Sequence, residues 1–280
     1  MAPERVGFPP GVPCWVDVNV PDPPAAAAFY RGVFGWELED QVPPGAPGHY
    51  FVARLEGREV AAIGSLIAGA PPAPAWNTYI GVDDAGAGAT RVLEAGGRVL
   101  VAPSESSGTG RAVVCSDPAG AVFSLWQPGT RKGAELVNAP GSWNWSNLNT
   151  PDPDGAAAFY GTVFGWEAAP VEIGAYRATM WRLPGYGDFL GQFDPDLRRR
   201  HAQPGIPEGF SDAIGWLFPL GATETPYWSV AFSVDDIDGV ATMAQVLGGR
   251  VLVAPNDLMG GVRLAVLADP QGATFSVTRY

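Results

Sequence analysis

The sequence is poor in the residues that most often bind metals or form covalent intermediates. It has two cysteines, Cys14 and Cys115, and two histidines, His49 and His201, in 280 residues. Two cysteines without CxxC spacing exclude a disulfide framework, and both lie in strand-like apolar runs where a thiol behaves as a small hydrophobe. With so few histidines no Ser-His-Asp or Cys-His arrangement can be assembled. Neither histidine has a second histidine or a carboxylate at ligand spacing. Charge is also scarce: Asp, Glu, Lys and Arg make up 16% of the chain, with 29 acids against 17 bases. A formal net charge of −12 repels phosphate backbones and anionic lipid, so neither nucleic acid nor a membrane is an expected partner. No apolar run approaches the roughly 20 residues that cross a bilayer, and the first ten residues lack the apolar stretch of a secretory signal. A cytoplasmic location is expected. Apolar residues, by contrast, reach 46%, enough to fill a core in each of two halves.

What the chain has is a repeat. Residues 14–40 laid over 144–170 give 15 identities in 27 positions, and residues 76–127 over 228–279 give 23 in 52 without a gap. The shared runs include Val82-Asp83-Asp84, Gly96 to Pro103, and Asp117-Pro118 followed by Gly120-Ala121. The offset is 130 in the first block and 152 in the second, so copy two carries 22 more residues between the blocks, as a surface loop. Such matches place gene duplication beyond chance.

Each copy reads as strands and helices in a fixed order. Residues 14–20 alternate, with Val16, Val18 and Val20 on one face and Trp15, Asp17 and Asn19 on the other. Asp22 before Pro23 suits a helix N-cap, Phe29, Tyr30 and Val33 follow at helical spacing, and Gly35 stops the helix. Apolar runs at 48–55 and 58–67 flank Glu56-Gly57, a hairpin signal. The second block repeats the scheme: a strand at 77–82, a cap at Asp83/Asp84, a helix ended by Gly96-Gly97, then strands near 98–102, 111–116 and 121–127. The Asp117-to-Gly120 segment makes a tight turn. The chain therefore contains four β-α-β-β-β units.

These motifs (Pro21-Asp22, Phe29-Tyr30, Phe34-Gly35-Trp36, the Val-Asp-Asp junctions and the Asp-Pro hairpins) resemble those of the vicinal oxygen chelate superfamily. It includes glyoxalase I, bleomycin-resistance proteins, fosfomycin-resistance enzymes and extradiol dioxygenases. Residues 15–17, 76–80, 125–127 and 136–145 are similar to an actinobacterial subgroup with two fused domains, labelled hydroxylase or glyoxalase-like, that includes a mycobacterial antigen. The resemblance implies an α+β fold of two tandem glyoxalase-like domains, each a pair of βαβββ units forming a cup-shaped mixed sheet. The first domain is expected over 1–135 and the second over 136–280, with an inserted loop around 184–222.

The resemblance also implies four metal-ligand positions per cup. Motif spacing locates three: Trp15 and Trp145, Asn77 and Ser229, Ser124 and Ser276. The fourth falls in the divergent segments 49–67 and 176–193. Indole cannot ligate a metal, and serine and amide oxygens replace imidazole and carboxylate poorly. No cofactor is expected. A divalent metal held by Asp17 and a residue of the divergent segment is the alternative.

Alternation puts Trp15, Asp17 and Asn19 on the inward face of copy one, with Asn77 and Tyr79, and Ser124 and Trp126, on neighbouring strands. Copy two has Trp145, Asn147, Asn149, Ser229 and Ser276, with Ala231 and Thr278 in place of Tyr79 and Trp126. Rings with a few polar groups suit a flat aromatic or polyketide-like ligand. Asp17 is the candidate acid or base, because desolvation among rings moves a carboxyl toward neutrality, and Tyr79 is a candidate hydrogen-bond donor. The plainer alternatives are a satisfied strand-end carboxylate, a core tyrosine and tryptophans that merely fill the cup. Arg198 to His201 reads as a solvated loop patch, or as a flap attracting an anion.

Three functions follow: a metal-independent enzyme acting on an aromatic or carbonyl-containing metabolite, a sequestering protein of the bleomycin-resistance type, and a metal-dependent glyoxalase-type lyase. The partner in each case is a small molecule. Fusion of two domains allows a monomer, and a homodimer is the alternative.

Overall fold

The computed structural model describes residues 7–106, 108–173, 176–258 and 261–279. Copy one forms β1 (Pro13–Val20), α1 (Pro23–Phe34), β2 (Glu37–Asp40), β3 (Tyr50–Leu55) and β4 (Arg58–Ser65). It continues with β5 (Ala75–Gly81), α2 (Ala85–Glu94), β6 (Arg98–Glu105), β7 (Gly110–Ser116) and β8 (Val122–Pro128). These eight strands make one sheet in the order β2-β3-β4-β1-β5-β8-β7-β6. Copy two forms β9 (Trp143–Thr150), α3 (Pro153–Phe164), β10 (Glu167–Ile173), β11 (Tyr176–Arg182), α4 (Tyr186–Gly191), α5 (Leu197–His201) and β12 (Ala213–Pro219). It ends with β13 (Tyr227–Ser233), α6 (Ile237–Val246), β14 (Arg250–Asp257), β15 (Arg263–Ala268) and β16 (Thr274–Arg279). Its sheet has the same order, β10-β11-β12-β9-β13-β16-β15-β14. The sheets are mixed: β4 pairs with β1, and β8 with β5, in parallel, while the hairpins are antiparallel. Four βαβββ units in two eight-stranded sheets are the expected α+β architecture.

Local chemistry explains the element ends. Asp22, Asp84, Asp152 and Asp236 each accept the backbone N–H three residues on, at the starts of α1, α2, α3 and α6. Asp83 stands beside the cap rather than being it. Gly35 and Gly165 end α1 and α3 at φ 72° and 75°, where a side chain would be strained. Glu56 and Gly57 both have positive φ, 51° and 76°, which makes the β3–β4 connection a two-residue turn with the twist its strands need.

The added residues of copy two lie between β11 and β12, where Glu56-Gly57 stands in copy one. The expected insertion at 184–222 ran too far, because Ala213–Pro219 is strand β12, paired in parallel with β9. Within the insertion Arg198 to His201 forms most of α5 rather than an open loop. Arg198 pairs with Asp188, Arg199 with Asp196 and Arg200 with Asp194, all at exposed positions.

The chain divides into two compact units. One comprises Met1–Cys14, Tyr79–Gly133 and Ser146–Trp228; the other comprises Trp15–Thr78, Ala134–Trp145 and Ser229–Tyr280. Each sheet therefore comes from one copy, whereas each compact unit draws on both. In the second unit Tyr30 stacks on both Phe34 and Trp36, with Trp76, Phe232 and Phe275 packed edge-on or tilted around them. In the first, Tyr160, Phe164 and Trp166 repeat the arrangement with Trp228, Trp181 and Phe123.

Candidate functional site

Strand β1 is buried on both faces, so its polar residues must find partners inside the protein. Asp17 is 1% exposed and does so with both oxygens. Its Oδ1 accepts from Asn77 Nδ2 at 2.8 Å and its Oδ2 from the Tyr50 hydroxyl at 3.2 Å. The Tyr50 oxygen in turn accepts from Trp15 Nε1 at 3.2 Å, and Asn77 Nδ2 also reaches Asn19 Oδ1 at 2.7 Å. Trp15, Asp17, Asn19, Asn77 and Tyr50 thus form one polar cluster within a single compact unit. Its floor is a glycine. Gly64 lies opposite both Asn19 on β1 and Tyr50 on β3, and a Cβ there would stand 2.9 Å from Asn19 Nδ2 and 3.0 Å from Tyr50 Cδ2.

The sequence indicated four of these five residues. Tyr50 was missed because it lies outside the two blocks of the repeat, so the strand run at 48–55 was read as a hairpin without a cup position being assigned to any of its residues. The hairpin register would have found it: Asp40 lies opposite Phe51 and Tyr50 opposite Gly64. The same register corrects the reading of His49. Its Nδ1 lies 2.6 Å from Asp40 Oδ2, so this histidine does have a carboxylate partner, nine residues away across the hairpin. Asp40 Oδ1 also accepts the backbone N–H groups of Val42 and Tyr50. Partial burial works against its charge, but the His49 ring and these N–H groups outweigh that and hold its carboxyl below the usual carboxylate range.

Strand register also locates the fourth position. Ser124 on β8 lies opposite Tyr79, two residues beyond Asn77. The same step from Trp15 reaches Asp17, which lies opposite Ala62 on β4. In copy two Ala231 lies opposite Ser276, and Asn147 opposite Trp216. The residue facing Asp17 is therefore Ala62, and the one facing Asn147 is Trp216. Alanine and tryptophan supply no ligand atom, and the remaining oxygens are weak donors to a divalent ion. These residues do not fit a metal. Among the described residues no group of three or more His, Cys, Asp or Glu is placed to hold one. The divergent-segment residue that reaches Asp17 is a phenol that donates its proton, not an imidazole or carboxylate.

The other indicated residues separate by exposure. Tyr79 is buried and meets Trp126 edge-on at 6.3 Å; Ser124 is buried, and the Trp126 indole N–H donates to the Arg131 carbonyl. In copy two Trp145, Asn147, Trp216, Ser229 and Ser276 are all half-buried, and Asn149 is buried with its amide on the carbonyl of Asn147. Copy one is thus the more closed of the two along these strands. Two further buried carboxylates, read as turn residues, have a second role. Asp117 accepts from the Gly120 and Ala121 N–H groups and from the Tyr160 hydroxyl, and Asp269 from those of Gln271 and Ala273 and from Tyr30.

Residues 14–125 match the profile of the Glyoxalase/Bleomycin resistance protein/Dioxygenase superfamily, and residues 145–278 that of a Glyoxalase-like domain. The protein named "Putative glyoxylase CFP32" from Mycobacterium tuberculosis (strain CDC 1551 / Oshkosh) is 38% identical, over 99% of this chain and 98% of its own. "Anthracycline biosynthesis protein DnrV" of Streptomyces peucetius is 35% identical over 96% of this chain and 94% of its own. Among solved structures, the Mn(II)-bound glyoxalase from Novosphingobium aromaticivorans aligns with a TM-score of 0.60 at 16% identity, covering 98% of this chain and 83% of that one. The 2,3-dioxygenase LapB from Pseudomonas sp. KL28 gives 0.60 at 12% identity, covering 98% and 94%. At such identities the structural likeness is one of fold.

Proposed function

Because this chain belongs to the glyoxalase/bleomycin resistance protein/dioxygenase superfamily in both of its halves, we propose that it is a small-molecule enzyme of that type, working by proton transfer at Asp17 without a bound metal. Its substrate is an aromatic or carbonyl-containing metabolite. The observation that carries this reading is the Asp17 carboxylate held between Asn77 and Tyr50, on strands whose ligand positions contain tryptophan, alanine, asparagine and serine. Two donors fix the orientation of the carboxylate, so that it can take a proton along an existing hydrogen bond, and positioned acid–base groups contribute about 100- to 10,000-fold to rate. The half-buried indole of Trp216 supports an aromatic ligand, as does the relative named for anthracycline biosynthesis.

A second reading is sequestration of such a molecule, favoured by the same half-buried indole. The test screens hydroxyanthraquinones and aromatic aldehydes by quenching of tryptophan fluorescence, on protein dialysed against EDTA and analysed for bound metals. A binder is then followed for turnover in wild type and Asp17→Asn. The enzyme reading expects conversion by metal-free wild type, at least about 100-fold slower in Asp17→Asn, with binding within a few-fold. One tightly held transition ion per domain, restored together with activity, would overturn the metal-free mechanism. Tight binding without conversion of any compound supports sequestration.

A further inference from the structure

The Asp17 cluster raises the question of which member meets the substrate. Asp17 is nearly inaccessible, and Trp15 and Asn19 are buried; Tyr50 and Asn77 are half-buried. An amide neither gains nor loses a proton near neutral pH, whereas a phenol donates and accepts through one oxygen and can relay a proton. Two other Trp-Tyr-Asp chains in the protein make the contrast plain. Trp76 donates to Tyr30, which donates to Asp269; Trp228 donates to Tyr160, which donates to Asp117. Both of those tyrosines are fully buried. Trp15, Tyr50 and Asp17 repeat the order of groups, but with a half-buried tyrosine in place of a fully buried one.

We propose that Tyr50 is the residue that exchanges the proton with the substrate, and that Asp17 acts through it; this rests on the proton-transfer reading above. An enolic or phenolic substrate O–H gives its proton to Tyr50 Oη as the Tyr50 proton passes to Asp17 Oδ2. One O–H bond breaks on the substrate, one is exchanged on Tyr50 and one forms on Asp17. The negative charge moves from Asp17 to the substrate oxygen, and Tyr50 is neutral before and after. The Trp15 N–H donates to the phenol oxygen, where charge gathers as the proton moves. Gly64 leaves room for the Tyr50 ring beside Asn19. The substrate class is therefore a planar compound with an acidic hydroxyl next to a carbonyl. Of the titratable groups on these strands, Asp40 receives the Tyr50 backbone N–H and is bound to His49, while Arg54 pairs with Glu39 and Glu59, and Arg58 with Glu56, toward the other end of the hairpin.

The experiment uses alizarin, a hydroxyanthraquinone whose visible band shifts on ionisation, with metal-free full-length protein at neutral pH. The expected result is a bound probe whose ratio of ionised to neutral form exceeds that of free alizarin by about tenfold, as expected for one charge-assisted hydrogen bond. Tyr50→Phe and Asp17→Asn each return the ratio to that of the free probe while fluorescence quenching still reports binding. Trp15→Phe lowers the ratio part of the way, and His49→Gln leaves it unchanged. A Tyr50→Phe protein with native circular dichroism that keeps the full wild-type ratio overturns the Tyr50 assignment, and if Asp17→Asn still abolishes it the proton-transfer reading stands. A wild-type protein that binds alizarin without shifting its ionisation, or does not bind it, overturns that reading and the Tyr50 assignment together.

Discussion

The hydroxyl of Tyr30 donates to Asp269 Oδ2 at 3.2 Å, across 239 residues of sequence. The same hydroxyl accepts from Trp76 Nε1 at 3.0 Å, so one atom joins the first helix of copy one to the last hairpin of copy two. All three residues are buried. Tyr30→Phe keeps the ring but leaves an indole N–H and a carboxylate oxygen without this partner. Leaving a buried donor or acceptor unsatisfied costs about 1–3 kcal/mol, so the variant is expected to lose about 2–4 kcal/mol of unfolding free energy. Tyr160→Phe, which breaks the matching chain to Trp228 and Asp117, is expected to cost a similar amount. Urea denaturation followed by circular dichroism checks both; a loss below about 0.5 kcal/mol would show that water replaces the hydroxyl.

Burial pushes the Asp269 carboxyl above the usual carboxylate range, against the lowering effect of the Ala273 and Gln271 N–H groups and of Tyr30, and Asp117 is raised in the same way. The native state thus binds these protons more tightly than the unfolded chain. Their contribution to stability is fully present below the unfolded value of about 4 and is lost as pH rises through the folded value. Asp40 has the opposite sign: its lowered carboxyl adds stability above the unfolded value and loses it as pH falls through the folded one. Asp269→Asn is therefore expected to lose less stability relative to wild type as pH rises from about 4 to 7. Thermal melts across that range measure the difference, and a constant gap between the two proteins would contradict it.

Features that depend on near neighbours were legible in the sequence. Asp22 and Asp84 announced helix starts because the donor they satisfy lies three residues away, and Glu56-Gly57 announced a turn because both residues tolerate its backbone. The duplication gave the strand order twice. What stayed hidden depends on distant partners. Asp117 and Asp269 looked like turn residues, and one oxygen of each does serve its turn, but the other oxygen belongs to a tyrosine of the other copy. Strand β12 was obscured because the insertion separates it from β11, leaving an apolar run without its hairpin partner. Tyr50 and His49 lie outside the aligned blocks of the repeat, and only strand register brings them to Asp17 and to Asp40.

Gly64 offers a test of how tightly the Asp17 cluster is fitted. Its Cα lies opposite both Asn19 and Tyr50, and an added methyl would meet Asn19 Nδ2 and the Tyr50 ring at or below 3.0 Å. Gly64→Ala is expected to cost about 1–3 kcal/mol through overpacking and to move Tyr50 from Asp17. Chemical denaturation gives the first quantity. For the second, the ionised-to-neutral ratio of bound alizarin should fall toward that of the free probe. An unchanged ratio with normal stability would mean that the strands part enough to accept the methyl.

Copy two provides the last test, through Trp216. This indole is half-buried on β12, opposite Asn147, and Phe210 from the inserted segment lies 6.5 Å from it at a tilt of 40°. Its position corresponds to Ala62, so the second copy presents a ring where the first has a methyl. An aromatic ligand stacked on that ring gains about 0.5–1.5 kcal/mol beyond the area it covers, or roughly 2- to 12-fold in affinity. Trp216→Ala is expected to weaken binding of an aromatic ligand by that factor, whereas Trp216→Phe keeps most of the affinity and removes part of the quenching. Fluorescence titration of the two variants separates lost contact from lost signal. If both bind with wild-type affinity while Trp15→Phe does not, the ligand is held by copy one, and the second copy serves the fold alone.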